Sequence, residues 1–128
     1  MLYEYRIGFG ISFDKHGERI DKRDVDQALK IAGHDAADLF GGYSYWRCQG
    51  GWINPRGEHV HERGVQWSIL CEPEQAADLR AWAHRLGHRL GQQAFVFIGP
   101  SGADIVDVEA GAGRFHPVSK GVEQAERA

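Results

Sequence analysis

Residues 41–72 read GGYSYWRCQGGWINPRGEHVHERGVQWSILCE. The run holds Tyr43, Tyr45 and three of the four tryptophans, Trp46, Trp52 and Trp67, and it is broken at 55–57 by Pro-Arg-Gly. Two aromatic and β-branched segments around such a turn predict an antiparallel hairpin, Tyr43 to Asn54 and Glu58 to Cys71. A tight register sets Tyr45 opposite Trp67 and Tyr43 opposite Ile69, a favourable cross-strand pairing. It also sets Gly51 opposite His61, where the missing side chain is expected to leave open space. Gly50-Gly51 is expected to bulge. Cys48 falls near Gly64 and Cys71 near Gly41, too far apart along the ladder to bridge, so two reduced thiols are expected.

Upstream, Tyr3, Tyr5, Ile7, Phe9, Ile11 and Phe13 alternate with small or polar residues, the period of a strand with one buried face. After the polar turn at 14–17, Val25, Ala28, Leu29, Ala32, Ala36, Leu39 and Phe40 recur at helical spacing. Asp21 or Asp24 is placed to cap this helix, Gly33 weakens its middle and Gly41-Gly42 ends it. Downstream, Pro73 opens a second helix with the apolar face Leu79, Trp82, Ala83, Leu86 and Leu90, closed by Gly91. Residues 93–98 then form a short strand, 99–102 a turn, and 105–108 a partner strand. The order strand, helix, strand, strand, helix, strand, plus one appended strand, predicts a ferredoxin-like α+β sandwich. Two helices would cover one face of an antiparallel sheet. Residues 1–110 are read as one domain, and 111–128, small, polar and aperiodic, as a loosely ordered tail.

Charged residues make up 26% of the 128 residues and hydrophobic ones 42%, the balance of a globular domain. A formal charge of −3 argues against life on duplex nucleic acid, which demands a basic surface. No signal-like leader opens the chain and no apolar run has membrane-spanning length, so a cytoplasmic protein with no membrane partner is expected.

His59 and His61 lie two apart on a strand and share a face, so together they suit a phosphate or a metal, or stand solvated near the hairpin tip. A His-x-His pair alone does not complete a metal set, and neither a metal nor a cofactor is expected. His84 and His88 are expected to face solvent opposite the second helix's apolar stripe, within a basic run of Arg80, Arg85 and Arg89. No nucleophile elbow or phosphate-loop fingerprint is present. On the sheet face without helices, Gly8, Gly10, Ser12 and Trp46 suggest close approach by a second subunit, and hence a homo-oligomer.

The hairpin GGYSYWRCQGGWINPRGEHVHERG, then WSILCE, then the helix LRAWAHRLGHRLGQ running into QAFVFIG, together resemble small bacteriophage proteins of ferredoxin-like α+β type. The resemblance covers roughly residues 1–108. It implies binding or destruction of a nucleotide immune signal of the host.

The residues favour a pocket for a small anionic, nucleotide-like ligand. Tyr43, Tyr45, Trp46 or Trp52 would stack a base, and Arg47, Arg56, His59, His61 and Arg63 would meet phosphate. A second reading is a phosphodiester hydrolase using His59 or His61 as general acid or base with Glu62 assisting. A third is a structural or protein-interaction module.

Overall fold

Period-two hydrophobicity makes Tyr3–Gly10 a strand (β1) that buries Tyr5, Ile7 and Phe9. In this computed structural model, which describes residues 1–109 and 115–117, it lies inside a sheet of six strands. The others are β2 (Ser44–Ile53), β3 (His59–Cys71), β4 (Ala94–Gly99), β5 (Gly102–Asp107) and β6 (Phe115–Pro117). Their order is β2-β3-β1-β4-β5-β6, and all five pairings are antiparallel. The first four strands and the helices α1 (Lys22–Phe40) and α2 (Ala76–Arg89) form the expected ferredoxin-like α+β arrangement.

Asp21 caps α1, its Oδ1 accepting the Arg23 N–H at 2.7 Å, and Gly41 ends it with a φ of 86° that favours glycine. Small residues Ala28, Ala32 and Ala36 line its buried face and let α2 approach. Trp82 fills that space, meets Trp67 edge-on at 5.0 Å and donates its indole N–H to Ala32 O at 2.9 Å. Gly33 does more than weaken the helix. A Cβ there would stand 2.5 Å from Tyr43 Oη, so the glycine lets the Tyr43 ring rest on α1.

The hairpin register agrees with the expected one, Tyr45 opposite Trp67 and Gly51 opposite His61. Asn54 builds its tip: Oδ1 accepts from Arg56 N and Glu58 N at 3.0 and 2.9 Å, and Gly57 takes a φ of 79°. Cys48 and Cys71 are free thiols.

Several expectations are corrected. Gly50 and Gly51 pair one-to-one with Glu62 and His61, so there is no bulge. The room left by Gly51 is not open either, because a Cβ there would collide with the His59 ring. Leu39 is 42% exposed, since the chain beside the last turn of α1 is the polar 3-10 turn Pro73–Gln75, whose Gln75 Nε2 donates to Leu39 O. His84 does not face solvent. It packs edge-on against Phe95 at 5.1 Å, with Nδ1 3.2 Å from Val108 O, because β4 and the end of the chain leaving β5 lie against this side of α2. Within residues 111–128, Phe115–Pro117 pair with β5. The rest of that stretch, expected to be loosely ordered, lies outside the described residues.

Candidate binding site

Alternation along β2 and β3 sorts the hairpin's chemistry onto two sides of one sheet. Val65 and Trp67 are buried beneath the helices, so their partners Arg47 and Tyr45 share that side with Arg63, His61 and His59. Trp46, Trp52 and Glu62 alternate with these and point to the open face. The sequence-derived ligand set is therefore divided.

On the helix side, the hairpin, residues 11–22 and the start of α1 enclose an open cleft of about 860 Å³. Ile11, Phe13, Ile20 and Val25 give it apolar surface, while Arg19, Lys22, Arg47, Arg63 and His61 face two carboxylates, Asp21 and Glu62. Asp21 is occupied as a cap, and Glu62 projects to the other face. Arg47 is steadied at the mouth by Asp26, Nη2 to Oδ1 2.9 Å, and the Arg19 guanidinium lies 5.3 Å from the Phe13 ring centre. Ser12 Oγ accepts from Arg63 N at 2.9 Å and Arg63 O from Ile11 N at 3.0 Å, which hold the backbone under the Arg63 side chain. Among the described residues neither Lys22 nor Arg63 makes an ion pair.

The aromatic candidates are placed differently from the basic ones. Tyr45 stacks on Trp67 at 4.7 Å and Tyr43 tilts against it at 5.3 Å, so each spends part of its ring on the core. Both border a smaller recess beside Arg47 with Leu29, Lys30 and His34. Trp46 lies on the open face under the Arg6 guanidinium, 5.8 Å from the ring centre. Arg56 stands at the hairpin tip outside the cleft, 3.9 Å from Glu58. His59 and His61 lie 4.4 Å apart, ring to ring, and only His61 lines the cleft. No group of three or more potential metal-binding side chains occurs among the described residues.

The open face carries a second cavity of about 570 Å³, with Gly8, Gly10 and Gly64 in its floor and Trp52, Glu62, Gln66 and Gln92 around it. Burial pushes the Glu62 carboxyl above the ordinary carboxylate range. A raised folded-state pKa means that the folded chain holds this proton to higher pH than the unfolded one. The group's stabilising contribution is therefore complete below the unfolded pKa and lost as pH rises through the folded pKa. Glu62→Gln is accordingly expected to melt higher than wild type at neutral pH and to lose that advantage on acidification. Thermal unfolding of both proteins across the acid-to-neutral range reads this directly. A lower melting temperature for Glu62→Gln at neutral pH would contradict it.

Arg19 and Lys22 were not singled out in the sequence, because their only local signal is charge near a helix start. Gln92 sat unnoticed at the end of the second helix. The alternation of β1 did mark Gly8 and Gly10.

No protein-family model matches the chain, and no curated protein sequence matches it. Solved structures do. The fold is similar to that of a phage SAM lyase in complex with S-methyl-5'-thioadenosine, with a TM-score of 0.55 and 16% identity over 90% of this chain and 87% of that one. A phage SAM lyase in the apo state superposes with a TM-score of 0.53 and 17% identity over 89% and 86%. CutA from Synechococcus elongatus aligns over 85% and 82% with a TM-score of 0.46 and 17% identity. The likeness to the phage proteins is one of fold, in keeping with the resemblance read from the hairpin and second helix.

Proposed function

We propose that this protein binds and sequesters a small anionic, nucleotide-like ligand in the cleft between the hairpin and α1, in the manner of a phage counter-defence protein. The observation that carries the reading is the convergence of Arg19, Lys22, Arg47, Arg63 and His61 on one cleft with apolar surface. Guanidinium groups suit phosphate oxygens through paired hydrogen bonds, and the apolar surface suits a base or sugar. A phage protein of the same fold holds S-methyl-5'-thioadenosine, which makes a nucleoside-sized ligand the first candidate. Binding is favoured over hydrolysis because His59 lies outside the cleft and, among the described residues, no hydrogen bond joins His61 to Glu62 where both line it. A host-signal role places the protein in the bacterial cytoplasm; no described helix is long and apolar enough to cross a membrane.

The test is calorimetry with a nucleoside monophosphate, a cyclic dinucleotide and S-methyl-5'-thioadenosine, followed by denaturation and mass spectrometry of the released ligand. Saturable binding of a phosphate-bearing member, recovered intact, is expected. Recovery of a cleavage product would replace sequestration with catalysis, and no binding by any of the three would remove the proposal.

The open face leaves Trp46, Leu70 and Ile98 exposed at 41%, 52% and 38%. Apolar surface of this kind is commonly closed by self-association. We extend the proposal to a homo-oligomer formed through the end of that face that carries Trp46, Leu70 and Ile98, beside the cavity at Gly10 and not over it. Light scattering is expected to give at least twice the chain mass at micromolar concentration, and a monomer mass would reject it.

A further inference from the structure

The cavity on the open face holds two acceptor oxygens, of Glu62 and Gln92, that accept no hydrogen bond among the described residues; Gln66, whose Nε2 lies over Gly8, lines the same cavity. Gln92 is buried, at 9% exposure, and its side-chain nitrogen is already spent on Phe13 O at 2.8 Å and Leu90 O at 3.2 Å. Its Oε1 therefore faces the trough as an acceptor. Glu62 Oε1 lies over the same spot: both oxygens are within 3.2 Å of the point where a Cβ on Gly10 would sit. Among the described residues, no hydrogen bond to either oxygen is seen. Of the cations nearby, Lys15 is held by Glu109 at 2.6 Å, and Arg63 alternates to the opposite face of β3.

Converging acceptors in a half-buried site repel each other unless a donor sits between them. The glycine positions let side chains settle close on the backbone, Gln66 over Gly8 and Glu62 over Gly10, and Trp52 lines the same cavity. We propose that this trough binds a planar group presenting two adjacent N–H donors, the amidine-type edge shared by amidinium compounds and the guanine base. One donor would meet Glu62 and the other Gln92, with the ring beside these two side chains in the cavity that Trp52 and Gln66 also line. This site is separate from the basic cleft and takes the opposite chemistry.

The test is a titration of the isotope-labelled full chain, followed by NMR, with benzamidinium chloride, with guanosine, and with adenosine as the control whose edge places one N–H beside an acceptor. Saturable shifts at Gly8, Gly10, Gly64 and the Gln92 side chain are expected with at least one of the first two probes and weaker ones with adenosine. Binding by guanosine alone assigns the site to nucleobases, and binding by benzamidinium alone to small organic cations. Glu62→Gln is expected to weaken the binding probe about tenfold or more, because a charge-assisted hydrogen bond is lost. Trp52→Ala, which keeps both acceptors, is expected to weaken it several-fold and decides the matter should Glu62→Gln fail to fold. Absence of saturable shifts with both probes, shifts confined to Arg47 and His61, or unchanged affinity in the folded variants would overturn the proposal.

Discussion

Replacing Trp82 with alanine is expected to remove about 3–5 kcal/mol of stability, the range for deleting a buried aromatic side chain from a packed core. The indole is 1% exposed and sits where α2 crosses α1 and the sheet. Its loss empties a space bounded by Trp67, with which it packs at 5.0 Å, and removes the bond from Nε1 to Ala32 O. The surrounding groups are two helices and a central strand, so collapse into the hole is resisted. Domains are stable by only about 5–15 kcal/mol, so the variant would retain a small margin. Trp82→Phe keeps most of the volume and loses the hydrogen bond, and should cost nearer 1 kcal/mol from that bond plus a modest packing term. Urea unfolding of the three proteins checks both figures. A Trp82→Ala midpoint within experimental scatter of wild type would mean that α2 is not held through this residue.

The second large effect concerns the basic cleft. Arg47→Glu combined with Arg63→Glu is expected to reduce affinity for a phosphate-bearing ligand on the order of 100-fold or more, since each charged hydrogen bond contributes about 1.5–3 kcal/mol and reversal adds repulsion. Stability should change little. Both side chains are exposed, and the Arg47–Asp26 pair, with each partner about half exposed at 51% and 53%, is of a kind that contributes about 0–1 kcal/mol. Trp46→Ala, on the other face of the sheet, should leave the affinity as it is. Raising ionic strength should weaken wild-type binding and have less effect on the doubly reversed protein. Calorimetry on the three proteins at two salt concentrations tests the set. Equal affinity in wild type and the doubly reversed protein would move the ligand out of this cleft.

Much of the fold was legible because its signals are local. Alternation from Tyr3 to Ile11, the helical stripe from Val25 to Ala36 and the apolar face from Leu79 to Leu90 each report a period imposed by backbone geometry. The hairpin register was legible too: a turn at Asn54–Glu58 leaves one pairing that sets Tyr45 against Trp67. Leu39 and His84 were misread because periodicity says which side of a helix a residue occupies, not what lies opposite. A polar turn faces Leu39, and Phe95 and Val108 O face His84.

The candidate site was legible in part. Arg47, His61 and Arg63 were marked by the hairpin, and they line one cleft. The same strand alternation put Trp46, Trp52 and Glu62 on the other side, so a list drawn from one segment mixed two surfaces. Sequence alone determined the elements of residues 1–108, their order and the hairpin's pairing, because strand and helix periods and turn chemistry act over a few neighbouring residues. Tertiary structure alone decided which side chains meet: Arg19 and Lys22 with Arg63, Gln92 with Glu62 over Gly10, Tyr43 on Gly33. Those residues are separated by ten to more than eighty positions. Their convergence follows from how the sheet is ordered and where the helices pack, which no local pattern encodes.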